Sequence, residues 1–506
     1  MKIKLNTTVT LVSPPSRSFN HYRPPIALMA LAGYLEKHGI HSEIIDITLK
    51  EQIRDRDFVI NKNNYRTYVH NQILCAIKKA RPDVIGITCY TPEYYEVIGL
   101  ARNIKKIIPK TTIIVGGIHP TLFPQEFCSP SNPIDIAVIG EGEITMLELV
   151  NALRNKTSLQ KIKGIAFCDP KNKIMIQTPL RPLHPILDEI YNPAYDKVDM
   201  EYYTTASPYA IRGVFLRSAY VSYSRGCPSQ CTFCVSKKIR TCNGIGNYIR
   251  LRDPKNVADE ISFLKQKYKI DSFYFIDDLF TLDKSKVKTF CKILIENRIN
   301  LLWGCSSKVT TVDFQTLKIM KKAGCIQIDF GVERGSDQAL KLVKKGTNLR
   351  IIKNVFNNCH KLGIRTLASM IDNIPEETEQ DLHDILLLLD KIKATIVCIN
   401  TFIPYPGTEI CEMRPGIVTI KDYPNLMEDP SWLIKTYPKF RFANHQVDLQ
   451  SWGNFYTKKY NKFWANLQIY FQLIYLMTLL HSQNKTDYLK QSRFLIREFM
   501  NQKLGI

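Results

Sequence analysis

Two stretches of the chain alternate short β-rich runs with longer runs that are apolar at helical spacing, and this alternation restricts the fold more than any other feature. In the first, strand candidates fall at 8–12, 43–47, 84–88, 112–115 and 136–139, with helical patterns at 26–38, 71–79, 93–107 and 144–151. Strands separated by helices lie parallel, because a parallel pair needs a crossover long enough to hold a helix. The expectation is a doubly wound sheet, which binds ligands beyond the carboxyl ends of its strands. The unusual residues fall there: Ser13-Pro14-Pro15, Thr88-Cys89-Tyr90, Gly116-Gly117-Ile118-His119-Pro120 and Gly140-Glu141-Gly142-Glu143. Four such loops in register point to a nucleotide-like ligand approached by backbone. Residues 164–176 read as a hairpin, and 177–215, rich in Pro, Tyr and Asp, as a linker.

The second series places strands at 219–224, 272–276, 301–306, 325–331, 365–371 and 394–403, with helices at 257–268, 284–297, 314–323, 349–362 and 376–392. Six βα repeats suit an incomplete parallel barrel better than another open sheet. After Pro404 the regularity ends in a helical, aromatic-rich tail. At 506 residues the chain is long enough for about three domains. The expected division is 1–185, a linker over 186–215, a barrel over 216–412 and a helical extension over 413–506.

Hydrophobic residues at 45% and charged residues at 23% exclude wholesale disorder. The net charge of +22 favours anionic partners, although the excess sits in no single tract. Fourteen cysteines follow an opening segment without a signal-peptide pattern, so an intracellular, reducing compartment is expected rather than disulfides. Eleven are scattered singly, for example Cys75, Cys168, Cys291 and Cys398, and read as small buried hydrophobes. Three are not scattered. Cys227, Cys231 and Cys234 follow the first strand of the second series, in Ser224-Arg225-Gly226-Cys227-Pro228-Ser229-Gln230-Cys231-Thr232-Phe233-Cys234. Three thiolates in one loop can hold a cubane iron–sulfur cluster and leave one iron open. A structural zinc site would want a fourth Cys or His at finger spacing, and Cys242 is followed only by Asn243 and Gly244.

This C-x3-C-x2-C loop resembles that of the radical S-adenosylmethionine (SAM) enzymes, in which the open iron chelates SAM. Further segments resemble that family in order: Tyr274–Phe280 its second strand, Gly331-Val332-Glu333-Arg334-Gly335-Ser336 its fourth-strand motif, and Ile403-Pro404-Tyr405-Pro406-Gly407-Thr408 the stretch after its sixth strand. The resemblance implies SAM contacts at Phe233, Asp277, Ser306, Glu333 and Arg334. At the fifth strand the family often reads apolar-Gly-x-Pro-Gly-Glu-Thr, where this chain has Ile371-Asp372-Asn373-Ile374-Pro375-Glu376-Glu377-Thr378. Both glycines are replaced, which puts the close backbone approach there in question. The first 185 residues or so resemble the cobalamin-binding domain fused to many radical SAM proteins, and the resemblance implies cobalamin contacts at Ser13, Pro14, Thr88, Gly116, Gly117, His119, Gly140 and Glu141. The Asp-x-His-x-x-Gly motif of other cobalamin proteins is absent, and His119 is the one histidine in a strand-end loop.

The fold class implied is α/β: an N-terminal doubly wound, Rossmann-like parallel sheet, a partial (β/α)6 TIM-type barrel and a helical C-terminal extension. The function implied is a cobalamin-dependent radical SAM methyltransferase. It would act on an unactivated carbon or phosphorus of a small-molecule or lipid-like substrate through a 5′-deoxyadenosyl radical and methylcobalamin. A [4Fe–4S] cluster, SAM and cobalamin are the cofactors expected, with an external electron donor of flavodoxin or ferredoxin type. An oxidative cyclase or ring-rearranging enzyme without methyl transfer fits the same features. A tRNA methylthiotransferase would account for the charge, but it carries a second three-cysteine cluster that Cys75, Cys89, Cys128 and Cys168 do not form. Nucleic acid is therefore not the expected partner, and an anionic small molecule stands ahead of it. Lys237, Lys238, Arg240, Arg250 and Arg252, just after the cysteines, either line an entrance for such a molecule or only solvate the surface. Residues 463–480 are uncharged but hold Asn466, Gln468 and Gln472. Burial against the barrel is expected for them, with peripheral membrane contact as the alternative and a true span disfavoured. The expected location is cytoplasmic.

Overall fold

Runs that are apolar without alternation become strands covered on both faces. The computed structural model describes residues 8–15, 23–48, 62–242, 246–426 and 430–444, with Phe455, Lys459 and Asn484 besides. These divide into two units: Met1–Tyr202 with Phe233–Arg250 and Pro404–Asp429, and Tyr203–Thr232 with Leu251–Ile403 and Pro430–Ile506. The described part of 413–506 is thus shared between the two units. Residues 463–480 lie outside the described residues. Among the described residues, no helix is long and apolar enough to cross a membrane.

The first unit is built on a sheet of β1 (Val9–Val12), β2 (Ser42–Ile45), β3 (Val84–Thr88), β4 (Thr112–Gly116), β5 (Ile136–Val138), β6 (Ile165–Cys168) and β7 (Met175–Gln177). Its order is β2-β1-β3-β4-β5-β6-β7. The first five strands are parallel, with Val9 level with both Ser42 and Val84. The segment expected as a separate hairpin instead extends this sheet as antiparallel β6 and β7. Ile165 and Ala166 are fully buried there, so joining the sheet completes its core.

Helix Lys62–Ala80 begins nine residues earlier than its pattern suggested. Polar neighbours hide the first half of a four-residue stripe, Tyr65, Val69, Ile73 and Ile77, all buried. Cys75 lies off that stripe and is exposed, so it is not the buried hydrophobe expected, whereas Cys291 is buried. In helix Ile26–Lys37, any side chain at Gly33 would collide with the Asn192 carbonyl. That close approach lets Ala194 N–H donate to Met29 O at 2.9 Å, and it packs Leu187, Ile190 and Ala194 of the expected linker against the unit.

The second unit carries the barrel strands β8 (Ser218–Val221), β11 (Ser272–Phe275), β12 (Leu302–Ser307), β13 (Cys325–Glu333), β14 (Arg365–Asp372) and β15 (Ile396–Thr401), with the two-residue strands β9 (Ser224–Arg225) and β10 (Arg250–Leu251) between β8 and β11. All six barrel strands are parallel and follow chain order from β8 to β15. One face is aromatic: Phe273, Phe275 and Trp303 pack with Phe280 and Phe290, and Phe275 stacks on Phe280 at 4.2 Å. Helices after the strands start where Asp253, Asp283, Asp313, Asn348 and Thr378 cap free backbone N–H groups.

Candidate active site

The cysteine loop leaves the carboxyl end of β8, and its start is fixed by a buried carboxylate. Asp277, just past β11, accepts from the Tyr223 N–H at 3.0 Å, from the Ser224 N–H and from the Ser224 hydroxyl at 2.6 Å. Burial raises its pKa to about 6 against the pull of those donors. The Arg252 N–H donates to Tyr223 O at 2.9 Å, and its guanidinium bonds Ser222 O at 2.8 Å and Glu260 at 2.5 Å. Farther along, Thr232 N–H donates to Val343 O at 3.2 Å. Cys231 is buried and Cys227 half-buried; Cys234, also half-buried, has Ser236 Oγ at 3.3 Å.

Two lysines that sequence reasoning did not single out surround Cys227 and Cys231. Lys308, after β12, reaches Ser229 Oγ at 3.4 Å, and burial holds its pKa below the ordinary amine range. Lys345 is buried and bonds Glu333 at 2.8 Å. Burial pulls its pKa down, but Glu333 together with Cys231 and Cys227 outweighs that and raises it. Cationic charge beside thiols favours the thiolate form that ligates iron. Among the described residues no three His, Cys, Asp or Glu side chains converge as a site for a single metal ion. The fit to a cluster therefore rests on three free thiols of one loop and the cations near two of them.

Glu333 ends β13 with φ of 71°, a strained value for a non-glycine residue. A Cβ at Gly331 would overlap the Glu333 carboxylate, so that glycine makes room for the Glu333–Lys345 pair. Arg334, assigned to SAM by resemblance, is buried and held by the protein: its guanidinium bonds Ile371 O at 2.8 Å and pairs with buried Glu377. Asp277 is likewise taken by backbone. Both therefore have positioning geometry rather than a carboxylate or guanidinium facing a ligand. Ser306 Oγ stands 3.1 Å from the Tyr274 hydroxyl on the inner barrel face, and Phe233 is half-buried.

At the departure from the family pattern, Asn373 and Glu376 both adopt the left-handed conformation, with φ of 60° and 66°. The turn that glycine would make survives. The side chain at 373 adds something glycine has not: its amide donates to Phe402 O at 2.9 Å and Phe440 O at 2.8 Å and accepts from Phe442 N at 2.9 Å. This one residue joins the ends of β14 and β15 to the 438–444 segment.

In the first unit the ends of β1, β3, β4 and β5 are neighbours, which places Ser13 and Pro14, Thr88, Gly116 and Gly117, and Gly140 and Glu141 along one edge. Gly117 and Gly140 have φ of 108° and 85°, and a Cβ at Gly117 would press on Cys89 O at 3.0 Å. Bare backbone along that edge fits a large planar ligand. His119 is fully buried with both ring nitrogens engaged, Nδ1 with Thr91 Oγ1 and Nε2 with Glu126 Oε2, each at 3.1 Å. Glu126 is also bonded by the Tyr423 hydroxyl at 2.9 Å. His119 therefore fits a loop-structuring role. The Glu141 carboxylate is held by Arg250 at 2.5 Å, and Arg250 also donates to His184 O at 2.7 Å. Lys237 and Lys238 pair with Glu409 and Glu412 at 2.7 and 2.8 Å. Lys237, Lys238, Arg250 and Arg252 are thus occupied by acids of their own units.

Residues 16–150 match the B12 binding domain family and residues 221–389 the radical SAM superfamily. An uncharacterized methyltransferase of Pyrococcus horikoshii is 30% identical over 411 residues, covering 80% of this chain and 82% of the relative. The anaerobic magnesium-protoporphyrin IX monomethyl ester cyclase of Rubrivivax gelatinosus is 28% identical over 405 residues, 79% of this chain and 68% of the relative. Among solved structures, the radical S-adenosylmethionine methyltransferase TsrM from Kitasatospora setae, with tryptophan substrate and a SAM analog bound, has a TM-score of 0.63 at 19% identity. That likeness in fold covers 80% of this chain and 75% of the other.

Proposed function

The chain belongs to the radical SAM enzymes that carry a B12-binding domain, and from that premise we propose that it methylates an unactivated carbon or phosphorus of a small-molecule substrate. Its cofactors are a [4Fe–4S] cluster, SAM and cobalamin. The observation that carries the proposal is the three-thiol loop at the carboxyl end of a parallel barrel strand, in a chain that also has a B12-binding domain. When bound, the cluster with SAM supplies hydrogen abstraction, and cobalamin supplies a methyl carrier.

The protein's part is alignment. Cys227, Cys231 and Cys234 would hold the cluster, and an iron they leave open would take SAM. Asp277 fixes the backbone from which that loop departs, and Arg334 with Glu377 fixes the turn after β14 against β13. Phe233, Ser306 and Glu333 would contact SAM; the Glu333 carboxylate is suited to an amino group and is paired with Lys345. Ser13, Pro14, Thr88, Gly116, Gly117, Gly140 and Glu141 would hold cobalamin, with His119 bracing their loop through Thr91 and Glu126. Electrons arrive from an external donor of flavodoxin or ferredoxin type.

The test is anaerobic reconstitution with SAM, hydroxocobalamin and a chemical reductant, followed by mass spectrometry on candidate substrates. Methyl transfer yields a methylated product with both S-adenosylhomocysteine and 5′-deoxyadenosine. Replacing all three cysteines by Ala should abolish the iron–sulfur band and lower 5′-deoxyadenosine formation by about a thousand-fold or more. Unchanged turnover in that variant would sink the enzyme reading. The cyclase relative at 28% identity supports a second reading, cyclisation or ring rearrangement. 5′-Deoxyadenosine formed with product but without S-adenosylhomocysteine would favour it.

A further inference from the structure

Parallel barrel strands are usually buried on both faces, so exposure confined to one face marks an inner wall that water can enter. In the barrel unit that face is read from the register: Ser306 is level with Asp329, Gly331 with Ser369, Ser369 with Cys398 and Ile371 with Asn400. Each of these is partly or fully exposed, whereas their sequence neighbours Phe330, Ala368, Met370 and Val397 on the other face are buried, Ile399 on the edge strand β15 being part-exposed. The wall is mostly polar.

Arg212, from the segment that precedes β8, is set against this wall from three sides. Its N–H donates to Gln327 Oε1 at 3.1 Å, its carbonyl accepts from Arg365 Nη2 at 2.9 Å, and its Nε bonds Asp329 Oδ2 at 3.3 Å. Gln327 and Arg365 are themselves buried and joined at 3.0 Å. Asp329 is fixed in turn by the Tyr274 hydroxyl and the Gln327 amide, both at 2.9 Å. Such a network does more than neutralise a surface charge: it aims a guanidinium. About half of the Arg212 side chain is exposed (48%), and no acceptor for its two terminal nitrogens is found among the described residues.

We propose that Arg212 is the specificity-determining residue of the substrate site, and that the substrate is a small polar molecule presenting an oxyanion, a carboxylate or a phosphonate, to its fork. The inference rests on the reading of the chain as a radical SAM enzyme and narrows its substrate class. A planar fork accepts two oxygens of one anion, and it is already held in place by Asp329, so little ordering remains on binding. An extended apolar ligand would strip water from Ser306, Asp329, Ser369 and Asn400 and return no hydrogen bonds. The wall therefore selects against a lipid-like substrate.

The test uses full-length reconstituted protein loaded with SAM and saturation-transfer NMR with three probes: succinate, methylphosphonate and neutral succinamide. The proposal expects signal from at least one anion and none from succinamide; which anion binds separates the carboxylate from the phosphonate source. Arg212→Gln should weaken that binding at least about ten-fold, and Arg212→Lys, which keeps the charge without the fork, should restore part of it. Thermal melting of each variant checks that it folds, and Asn400→Ala, at an exposed position on the same wall, gives a second, milder perturbation that should weaken binding about two-fold. Anions bound equally by wild type and Arg212→Gln, or by neither, overturn the proposal. Cleavage of SAM to 5′-deoxyadenosine by the wild type is measured separately. If it occurs while the probes fail, only the substrate assignment falls; if it does not occur, the parent reading falls first.

Discussion

The two units meet their ligands with different material. At the strand ends of the first unit the charged side chains face other protein groups: His119 faces Thr91 and Glu126, and Glu141 faces Arg250. What remains along that edge is backbone, much of it glycine. In the barrel unit the reverse holds, and side chains line the candidate sites: Cys227, Cys231, Glu333 and Lys345 at the strand ends, Asp329 and Arg212 on the wall. A broad planar ligand is best met by a surface without Cβ atoms, whereas a cluster or a small polar molecule needs directed donors and charges.

Five substitutions would break or sharpen that contrast. The largest effect is expected at Arg334→Ala, which takes the guanidinium away from the buried Glu377 carboxylate and leaves that charge without its cationic partner Arg334. Removing one partner of a buried pair costs about 3–5 kcal/mol, to be read from urea denaturation of the apoprotein. A loss under about 1 kcal/mol would mean the pair is not the brace assigned here.

Asp277 comes next, and its effect has a sign. Its folded pKa is raised to about 6 from 3.8, so its contribution to stability is fully present below about pH 4 and is lost as pH rises through 6. Wild type should therefore lose about 3 kcal/mol relative to Asp277→Asn between pH 4 and 7. A difference between the two proteins that does not change with pH would contradict the burial argument.

In the first unit the contrast predicts that backbone matters more than imidazole. Gly117→Ala, at φ of 108°, should cost about 1–2 kcal/mol and weaken cobalamin binding measured by its visible spectrum. His119→Gln should lower stability yet leave the spectrum of the bound cobalamin unchanged. A spectral change in His119→Gln alone would make it a cobalt ligand and overturn the contrast. The smallest effect is expected at Lys238→Ala, whose pair with Glu412 is half exposed; melting should report a change within about 1 kcal/mol.

Much of this was legible in the chain. The alternation located both parallel sheets, and the cysteine spacing singled out the candidate cluster loop. Some readings needed more than pattern. Asp277 stood out in its motif, but its burial against Tyr223 and Ser224 was not readable, because the two segments lie more than fifty residues apart. Lys345 lies twelve residues from Glu333 at no period that ties them. Asp329, by contrast, alternates with Gly331 and Glu333 along one strand, and a period of two could have drawn it out. The helix from Lys62 was foreshortened because a polar start masks a single apolar stripe.

The sequence by itself determined the order of elements, the three thiols and the glycines at strand ends, because these depend on local periodicity, spacing and backbone freedom. The tertiary structure decided which charges are spent on the fold and which face a ligand. Lys237, Lys238, Arg250 and Arg252 read as either a basic entrance or a solvated surface and are paired with acids; Arg212 looked ordinary and is held with its fork open. Composition counts a charge. Only packing brings its partner within reach, and that sets whether it stabilises the fold or remains to bind.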